Sequence, residues 1–350
     1  HTGQNLIEVS SVCINIIHMV YEDGNLGSIE ISESQMANPD INNFVKQVVF
    51  FRMGSLIDSE IQPVKPVILL PILSLNLDVE KFKDKKNGLL LLARDISKYL
   101  LDVNIFLNDF CQHQCPHCRG YSKQFFCCSK ADVSNSLSQE SLLYLLRQIS
   151  YYPVRTINIT GGNIYNYENL RVFKTSNKDG RKIFNFYIHY LNYQENPDID
   201  SQNIHIMINI PVDMNRLRDV YTFMREKEVK YHLIVEDDEQ YNELESVMSE
   251  FGIKEFEIHP FYNGNNTKFF ENNVYLSKDD ILEIPISMRE IFRNQKMNAN
   301  SFGSLYIFPN GDIKANPNTE TLGNLEQCTI LDAINSEKYI FYRPLFNQYR

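Results

Sequence analysis

The chain has 350 residues, of which 43% are hydrophobic and 22% are charged, and these proportions are typical of a globular protein with a sizeable core. Its 44 acidic residues outnumber the 34 Lys and Arg, and a net charge of -10 argues against binding to a nucleic acid backbone. The apolar stretches are interrupted well before the roughly 18 residues that a membrane span needs, and no secretory signal is readable, so we expect a cytoplasmic protein.

The first 95 residues predict a small α+β module. Alternating apolar residues indicate strands at Asn5–Val9 and Leu26–Ile31, and helical spacing indicates helices near Val12–Val20 and Asn42–Met53. The proline-rich stretch Gln62–Pro71 then marks the exit from this module, because the residue before a proline avoids the helical conformation.

From residue 100 to about 290 the sequence alternates β-rich runs with amphipathic helical stretches, which is the pattern of parallel βα units. Six runs are expected to be strands: Asp102–Asn108, Arg155–Thr160, Phe184–Asn192, Ile204–Ile210, Lys230–Val235 and Glu255–Phe261. Helices are expected at Ser138–Ile149, Asn215–Glu228 and Asp238–Phe251, with Ser138 and Asp238 at helix starts. Six consecutive units with right-handed crossovers predict an α/β fold, a partial (β/α)6 TIM-like barrel.

Residues 291–350 form a short C-terminal segment. The runs Leu305–Phe308 and Ile313–Ala315 flank the turn Pro309-Asn310-Gly311-Asp312. Asn-Gly between two alternating apolar runs predicts a β-hairpin. We therefore expect three regions, at residues 1–95, 100–290 and 291–350.

The cysteines are clustered, since five of the seven fall within 18 residues. An odd, clustered set indicates metal binding rather than a disulfide framework. Cys111, Cys115 and Cys118 form the spacing C-x3-C-x2-C directly after the first predicted strand, where α/β barrels carry active-site loops. Three thiolates can hold three irons of one [4Fe–4S] cluster and leave the fourth iron open. Two alternatives stay open: a cluster of thiols without a metal, and a zinc site, whose four-ligand set His113 or His117 could complete.

The cysteine loop after the first strand of a six-unit barrel resembles the radical S-adenosylmethionine (SAM) superfamily. More narrowly, the chain is similar to the peptide-maturase branch with a C-terminal SPASM-like segment, and to its "pseudo-rSAM protein, GG-Bacteroidales system" group. The narrower similarity is carried by the segments Tyr121–Cys128, Ile210–Asp213, Phe261–Gly264, Phe302–Leu305, Asn310–Ile313 and Leu322–Asn324.

The resemblance implies cofactors and residue roles. His117 corresponds to the position that lies by the adenine of S-adenosyl-L-methionine, and Gly161-Gly162-Asn163 to the Gly-Gly-Glu turn that contacts its methionyl amino group. Here Asn163 lacks the charge that strengthens such a bond about twofold. The resemblance further implies a precursor peptide as substrate, a 5′-deoxyadenosyl radical as the hydrogen abstractor, and an electron donor such as flavodoxin or ferredoxin.

Three other features bear on the functional interpretation. In the C-terminal segment Gly311 matches the SPASM glycine, but Asn316 replaces a cysteine ligand, so we expect a degenerate segment without an auxiliary cluster. The N-terminal module resembles leader-peptide recognition domains, in which a sheet edge such as Leu26–Ile31 takes up a peptide strand. For Cys127 and Cys128, simple packing and a role beside the cluster both stay open.

Four polar residues lie at the ends of predicted strands: Asn192, Asn209, Asp213 and His259. A barrel places its binding groups at this edge. For each residue, a hydrogen-bonded side chain at the rim is nevertheless the simpler interpretation.

Two functions follow from these features. The intact cysteines favour an enzyme that modifies a ribosomally synthesised peptide, whereas Asn163 and the missing auxiliary ligands favour an inactive scaffold that binds and presents the peptide. We favour the enzyme, because thiols around an oxygen-sensitive cluster would be a liability to oxidation if they had no use. The sequence identifies no catalytic residue beyond the ligands.

Overall fold

The computed structural model describes residues 7, 9–21, 29–58, 100–119, 123–128, 135–176, 180–283 and 303–336. The chain divides into two compact units: the first is His1–Leu90 with Leu276–Phe292, and the second is Leu91–Tyr275 with Arg293–Arg350. Among the described helices, none has the length and apolar character that crossing a membrane requires.

The described residues form eleven α-helices and nine β-strands. The helices are α1 (Ser11–Tyr21), α2 (Glu33–Met36), α3 (Pro39–Phe50), α4 (Pro116–Arg119), α5 (Gln139–Ile149), α6 (Arg171–Ser176), α7 (Met214–Met224), α8 (Asp238–Glu250), α9 (Thr267–Asn273), α10 (Lys278–Glu283) and α11 (Ile330–Asn335). The strands are β1 (Asp102–Phe106), β2 (Thr156–Thr160), β3 (Ile183–His189), β4 (Asn203–Asn209), β5 (Val229–Val235), β6 (Phe256–Pro260), β7 (Ser304–Ile307), β8 (Asp312–Lys314) and β9 (Thr321–Asn324).

Within its described residues, the first unit has helices and no strand. Helices α1 and α3 confirm the two predicted helices, and they share a small core made of Cys13, Ile16, Ile41 and Val45. The side chain of Asn38 begins α3 by accepting a hydrogen bond from the Asp40 N–H. Both predicted strands and the proline-rich exit fall mainly outside the described residues, and the domain boundary near residue 95 stays a prediction.

The described residues of the second unit form one nine-stranded sheet with the order β6-β5-β4-β3-β2-β1-β7-β8-β9. Strands β1 to β6 are parallel and follow chain order, which confirms the predicted α/β fold of six consecutive units. The sheet stays open, with β6 and β9 at its edges. Strands β7 and β8 confirm the predicted hairpin. The sequence did not predict that β7 pairs in parallel with β1, or that β9 adds an antiparallel strand beside β8.

Side-chain caps determine where the helices begin. Ser138 accepts a hydrogen bond from the Ser141 N–H at the start of α5, as predicted. Helix α8 begins at Asp238, as predicted, but the residue that caps it is Asp237, whose side chain accepts from the Gln240 N–H. Each such cap is worth about 1 kcal/mol. Strand β3 ends at His189, earlier than predicted, because the His189 ring accepts from the Leu191 N–H and starts a short 3-10 helix.

The two faces of the parallel sheet differ in polarity, since successive side chains of a strand point to opposite faces. One face is apolar and fully buried in the main core; on the first four strands it consists of Val103, Ile105, Ile157, Ile159, Phe184, Phe186, Ile188, Ile204, Ile206 and Ile208. The opposite face carries asparagines, histidines and aromatic residues. The polar face therefore holds the groups available for chemistry.

Four asparagines form a hydrogen-bonded ladder across this polar face. They occupy register partners on β1, β2, β3 and β4, and each amide donates to the side chain on the next strand: Asn203 to Asn185, Asn185 to Asn158, and Asn158 to Asn104. Asn104 completes the ladder by donating to the Leu305 carbonyl on β7. The ladder thus gives each of these asparagine amide groups a hydrogen-bond acceptor within the sheet.

We expect Asn158→Ala to destabilise the second unit by about 1–3 kcal/mol, because it leaves the Asn104 oxygen and the Asn185 amide without their partners. Asn203→Ala is the matched control, since Asn203 is exposed and ends the ladder with a single bond. Urea unfolding of both variants measures the difference. If Asn158→Ala and Asn203→Ala lose the same stability, an asparagine within the ladder contributes no more than the one at its end.

Candidate metal and cofactor site

The cysteine loop begins just after β1 and ends in the short helix α4. The Cys118 N–H donates to the Cys115 carbonyl at 3.1 Å, so this turn brings Cys115, His117 and Cys118 onto one side. Their ligand atoms all lie within 4.8 Å of one another. Cys111 lies outside this group, and its sulfur accepts a hydrogen bond from the Asn192 amide at 3.5 Å.

Polar groups from β3 and β4 surround the Cys115 sulfur. His189 Nε2 lies 3.7 Å from the Cys115 Sγ, and Asn209 Oδ1 lies 3.9 Å from it. The same two groups are 2.5 Å apart and hold each other in place. Burial lowers the pKa of His189 to about 4, so its ring is neutral at pH 7 and can act as a hydrogen-bond partner for sulfur.

The thiols differ in their tendency to ionise. The pKa of Cys118 is lowered, first by hydrogen bonding with the Cys115 thiol and then with Cys128 and His117. The pKa of Cys115 is raised by the same bond to Cys118. Of these two sulfurs, Cys118 therefore forms a thiolate more readily, and a thiolate is the form that binds metals.

The two adjacent cysteines occupy different surroundings. Cys127 packs with Met207, Ile234 and Phe261, and burial raises the pKa of its thiol to about 11. Cys128 is also buried, yet its sulfur lies 3.8 Å from the Cys118 sulfur. Packing accounts for Cys127, whereas Cys128 borders the ligand group directly.

The glycine turn after β2 is docked against the cysteine loop. A Cβ atom on Gly162 would lie 2.1 Å from the Phe110 carbonyl oxygen, which leaves no room for any side chain. The side chain of Asn108 accepts from the N–H groups of Gly162 and Asn163 at 3.1 and 3.2 Å, and it donates to the Asn163 carbonyl at 2.9 Å. Asn108 therefore clamps the whole turn.

Asn192 connects the two predicted motifs. Its amide donates to the Gly162 carbonyl at 2.9 Å and to the Cys111 sulfur at 3.5 Å. The cysteine loop and the glycine turn, which are far apart in the sequence, thus meet at the carboxyl ends of β1 and β2. This is the edge at which α/β sheets bind ligands.

The two remaining predicted cofactor-binding residues, Asn163 and His117, lie in different surroundings. Asn163 begins the 3-10 helix Ile164–Asn166, where its Oδ1 accepts from the Tyr165 N–H at 3.1 Å. His117 is only 5% exposed, and its Nε2 is buried with no hydrogen-bond partner in the described part of the chain. Its ring lies beside Phe125 and Phe261. A buried nitrogen without a partner fits a site that is completed by a bound group.

The sequence interpretation missed two residues of the site. Asn108 clamps the glycine turn, and His189 contacts Cys115. Both are polar residues at the carboxyl end of a buried strand, a signal that the sequence does carry. Of the strand-end residues that were considered, Asn192 and Asn209 contact the cysteines, whereas Asp213 caps α7.

Three comparisons with known proteins complete the description. No protein-family model and no curated protein matches the chain. Among solved structures, Streptococcus suis SuiB bound to S-adenosylmethionine is 13% identical, with a TM-score of 0.49 over 95% of this chain and 82% of that chain. A histidine-tagged anSMEcpe with bound AdoMet is 12% identical, with a TM-score of 0.48 over 69% of this chain and 79% of that chain. Identities this low assign no activity.

Proposed function

We propose that this chain is a radical SAM enzyme that modifies a ribosomally synthesised precursor peptide, using one [4Fe–4S] cluster on Cys111, Cys115 and Cys118. The observation that supports the proposal most directly is the bridge from Asn192 to both the Gly162 carbonyl and the Cys111 sulfur. It joins the cysteine loop to the turn that the family uses for the methionyl group. A sulfur-rich loop without this turn beside it would favour a purely structural metal site.

The donor set fits a metal centre. All three cysteines are free of disulfides, and the ligand atoms of Cys115 and Cys118 lie within 4.8 Å of each other. The lowered pKa of Cys118 favours the thiolate that iron binds. When bound, a cluster on three thiolates supplies one electron and an open iron for the reductive cleavage of SAM, which generates the hydrogen-abstracting radical.

The residues of this chain would bind and orient the cofactor. The three thiolates would hold the iron, and Asn192 would keep the loop of Cys111 against the glycine turn. Gly161 and Gly162 would let the methionyl end of SAM approach the backbone, because they carry no side chain. His117, buried beside Phe125, would lie by the adenine.

Asn163 favours a second candidate function, a scaffold that binds and presents the peptide without catalysis. Its Oδ1 already accepts from the Tyr165 N–H, and an amide oxygen offers no negative charge to an ammonium group. We expect weaker SAM binding for this reason, by about 1–3 kcal/mol relative to a carboxylate. Asn163→Glu restores the carboxylate and should tighten binding.

The partners follow from the same proposal. An external electron donor such as flavodoxin or ferredoxin would reduce the cluster, and the N-terminal module would recognise the precursor peptide. Exposed apolar side chains at and after the end of α3 support such a contact, and Phe50 is 79% exposed. A site built of reduced thiols is consistent with a cytoplasmic location.

The test is anaerobic reconstitution of the full chain with iron and sulfide, followed by reduction and addition of SAM. We expect about four irons per chain, the absorption of an iron–sulfur cluster, and release of 5′-deoxyadenosine and methionine. Cys111→Ala, Cys115→Ala and Cys118→Ala should each abolish the cluster. Cys328→Ala is the control, because Cys328 packs against Gly323 and the main core instead.

Three outcomes would contradict the proposal. Full iron loading in any of the three cysteine variants would remove the ligand assignment. Zinc without sulfide in the purified protein would favour a structural zinc site on Cys115, His117 and Cys118. If the protein binds no SAM at millimolar concentration and Asn163→Glu changes nothing, the scaffold becomes the better interpretation.

A further inference from the structure

Three side chains that commonly ligate metals face one another on β5 and β6, apart from the cysteines. His232 and Glu257 are register partners, and His259 follows Glu257 by two residues, so all three point to the same face of the sheet. His232 Nδ1 lies 2.8 Å from His259 Nε2 and 3.3 Å from Glu257 Oε2. The His259 and Glu257 atoms are 3.9 Å apart. The three donor atoms form one small triangle.

This triangle has the size that a single ion requires. Ligand atoms about 2.1 Å from a divalent ion lie about 3.0 Å apart at a right angle and about 3.4 Å apart at a tetrahedral angle. The three observed separations bracket these values. Two imidazole nitrogens and one carboxylate oxygen suit Zn²⁺, Co²⁺ or Ni²⁺, whereas Mg²⁺ and Ca²⁺ prefer oxygen ligands.

We propose that His232, Glu257 and His259 form a binding site for a divalent transition metal ion. The site is separate from the cysteines and does not depend on the proposed function. Three protein ligands leave at least one coordination position for water or for a group of a substrate.

His205 provides the support that a metal-binding histidine needs. A metal on Nδ1 of His232 requires the ring proton on Nε2, and this Nε2 lies 2.8 Å from His205 Nδ1, which can accept that hydrogen bond. The His205 ring is also held in place, because it stacks on the Tyr187 ring with ring centroids 4.3 Å apart. Partners of this kind orient ligating imidazoles and increase their basicity.

The three side chains of the site differ in their exposure to solvent. Side-chain exposure is 58% for Glu257 and 23% for His259, but only 2% for His232. An ion can therefore arrive from solvent and meet a buried, oriented nitrogen. The Phe125 ring lies 5.0 Å from the His259 ring and 6.1 Å from the His117 ring, so it separates this site from the cysteine loop.

The proposal is tested with Co²⁺ on the reduced, chelator-treated full chain under anaerobic conditions. Thiolate ligation gives Co²⁺ an intense near-ultraviolet charge-transfer band, whereas nitrogen and oxygen ligands give only weak visible bands. The intensity of the near-ultraviolet band therefore measures the Co²⁺ bound by the cysteines, and equilibrium dialysis measures the total bound Co²⁺. We expect the wild-type chain to bind one more Co²⁺ than the thiolate band accounts for.

Glu257→Gln and His259→Ala should each weaken this additional binding at least tenfold and leave the thiolate band unchanged. Glu255→Gln is the matched control, because Glu255 is an exposed carboxylate on the same segment outside the triangle. Circular dichroism of each variant verifies folding, and Glu257→Gln changes only an exposed side chain. If the thiolate band accounts for all Co²⁺ bound by the wild type, or if Glu257→Gln binds Co²⁺ as Glu255→Gln does, the proposal is wrong and the histidines form a hydrogen-bonded row without a metal.

Discussion

Gly162→Ala is expected to destabilise the second unit by about 3 kcal/mol or more and to prevent assembly of the candidate site. The added Cβ would lie 2.1, 2.3 and 2.7 Å from the O, C and N atoms of Phe110. These are backbone atoms, so no side-chain rotation relieves the clash. Either the glycine turn or the cysteine loop has to move, and both carry predicted ligand-binding groups.

Gly161→Ala is the matched control for this substitution. Its Cβ would lie 3.2 to 3.3 Å from atoms of Asn108, a tight contact that a shift of a few tenths of an ångström relieves. Denaturant unfolding measures both variants, and iron loading after reconstitution reports on the site. If Gly162→Ala proves as stable as Gly161→Ala, the turn does not dock against Phe110 as described.

Asn108→Ala should be the next most damaging change at the site, with a loss of about 2–4 kcal/mol. Asn108 is buried, and its side chain makes three hydrogen bonds to the backbone of Gly162 and Asn163. The Gly162 N–H keeps its bond to the Asn108 carbonyl at 2.7 Å, and the Asn163 carbonyl keeps its bond from the Asn166 N–H at 3.1 Å. The Asn163 N–H, however, loses its bond to the Asn108 side chain. The turn is therefore expected to loosen locally before the sheet unfolds.

Hydrogen exchange separates this local effect from general destabilisation. In Asn108→Ala the backbone amides of Gly162 and Asn163 should exchange faster than the loss of global stability explains. The amides of β5 and β6 should exchange faster only by the amount that the lower free energy of global unfolding accounts for. Asn108→Asp keeps the two accepted bonds, but it puts a carboxylate oxygen in place of the amide that donates to the Asn163 carbonyl and it buries a charge, so it should also destabilise the turn. Unchanged exchange at Gly162 and Asn163 in Asn108→Ala would contradict the clamp.

The strands and helices of the second unit were largely predictable because their signals are local. The apolar residues of α5 recur with helical spacing, and Ser138 starts that helix by bonding to a backbone N–H three residues away. The six parallel strands follow chain order, so neighbours in sequence are also neighbours in the sheet. The C-x3-C-x2-C spacing likewise needs only one short turn to bring Cys115 and Cys118 together.

The contacts between distant segments were decided by tertiary structure alone. Strand β7 pairs with β1, and the Asn192 amide joins Gly162 to Cys111, because the sheet register brings these segments together.

The asparagine ladder and the hydrogen-bonded histidines show most clearly why these contacts could not be predicted from the sequence. An asparagine or histidine on a single strand is ambiguous in sequence, since its partner is a residue on another strand selected by register. The sequence by itself determined the α/β class, the order of the units and the cysteine motif, because each depends on spacing within one segment. Only the folded sheet decided that Asn108 clamps the turn and that His232 faces Glu257, because both contacts require side chains from strands that pair in space.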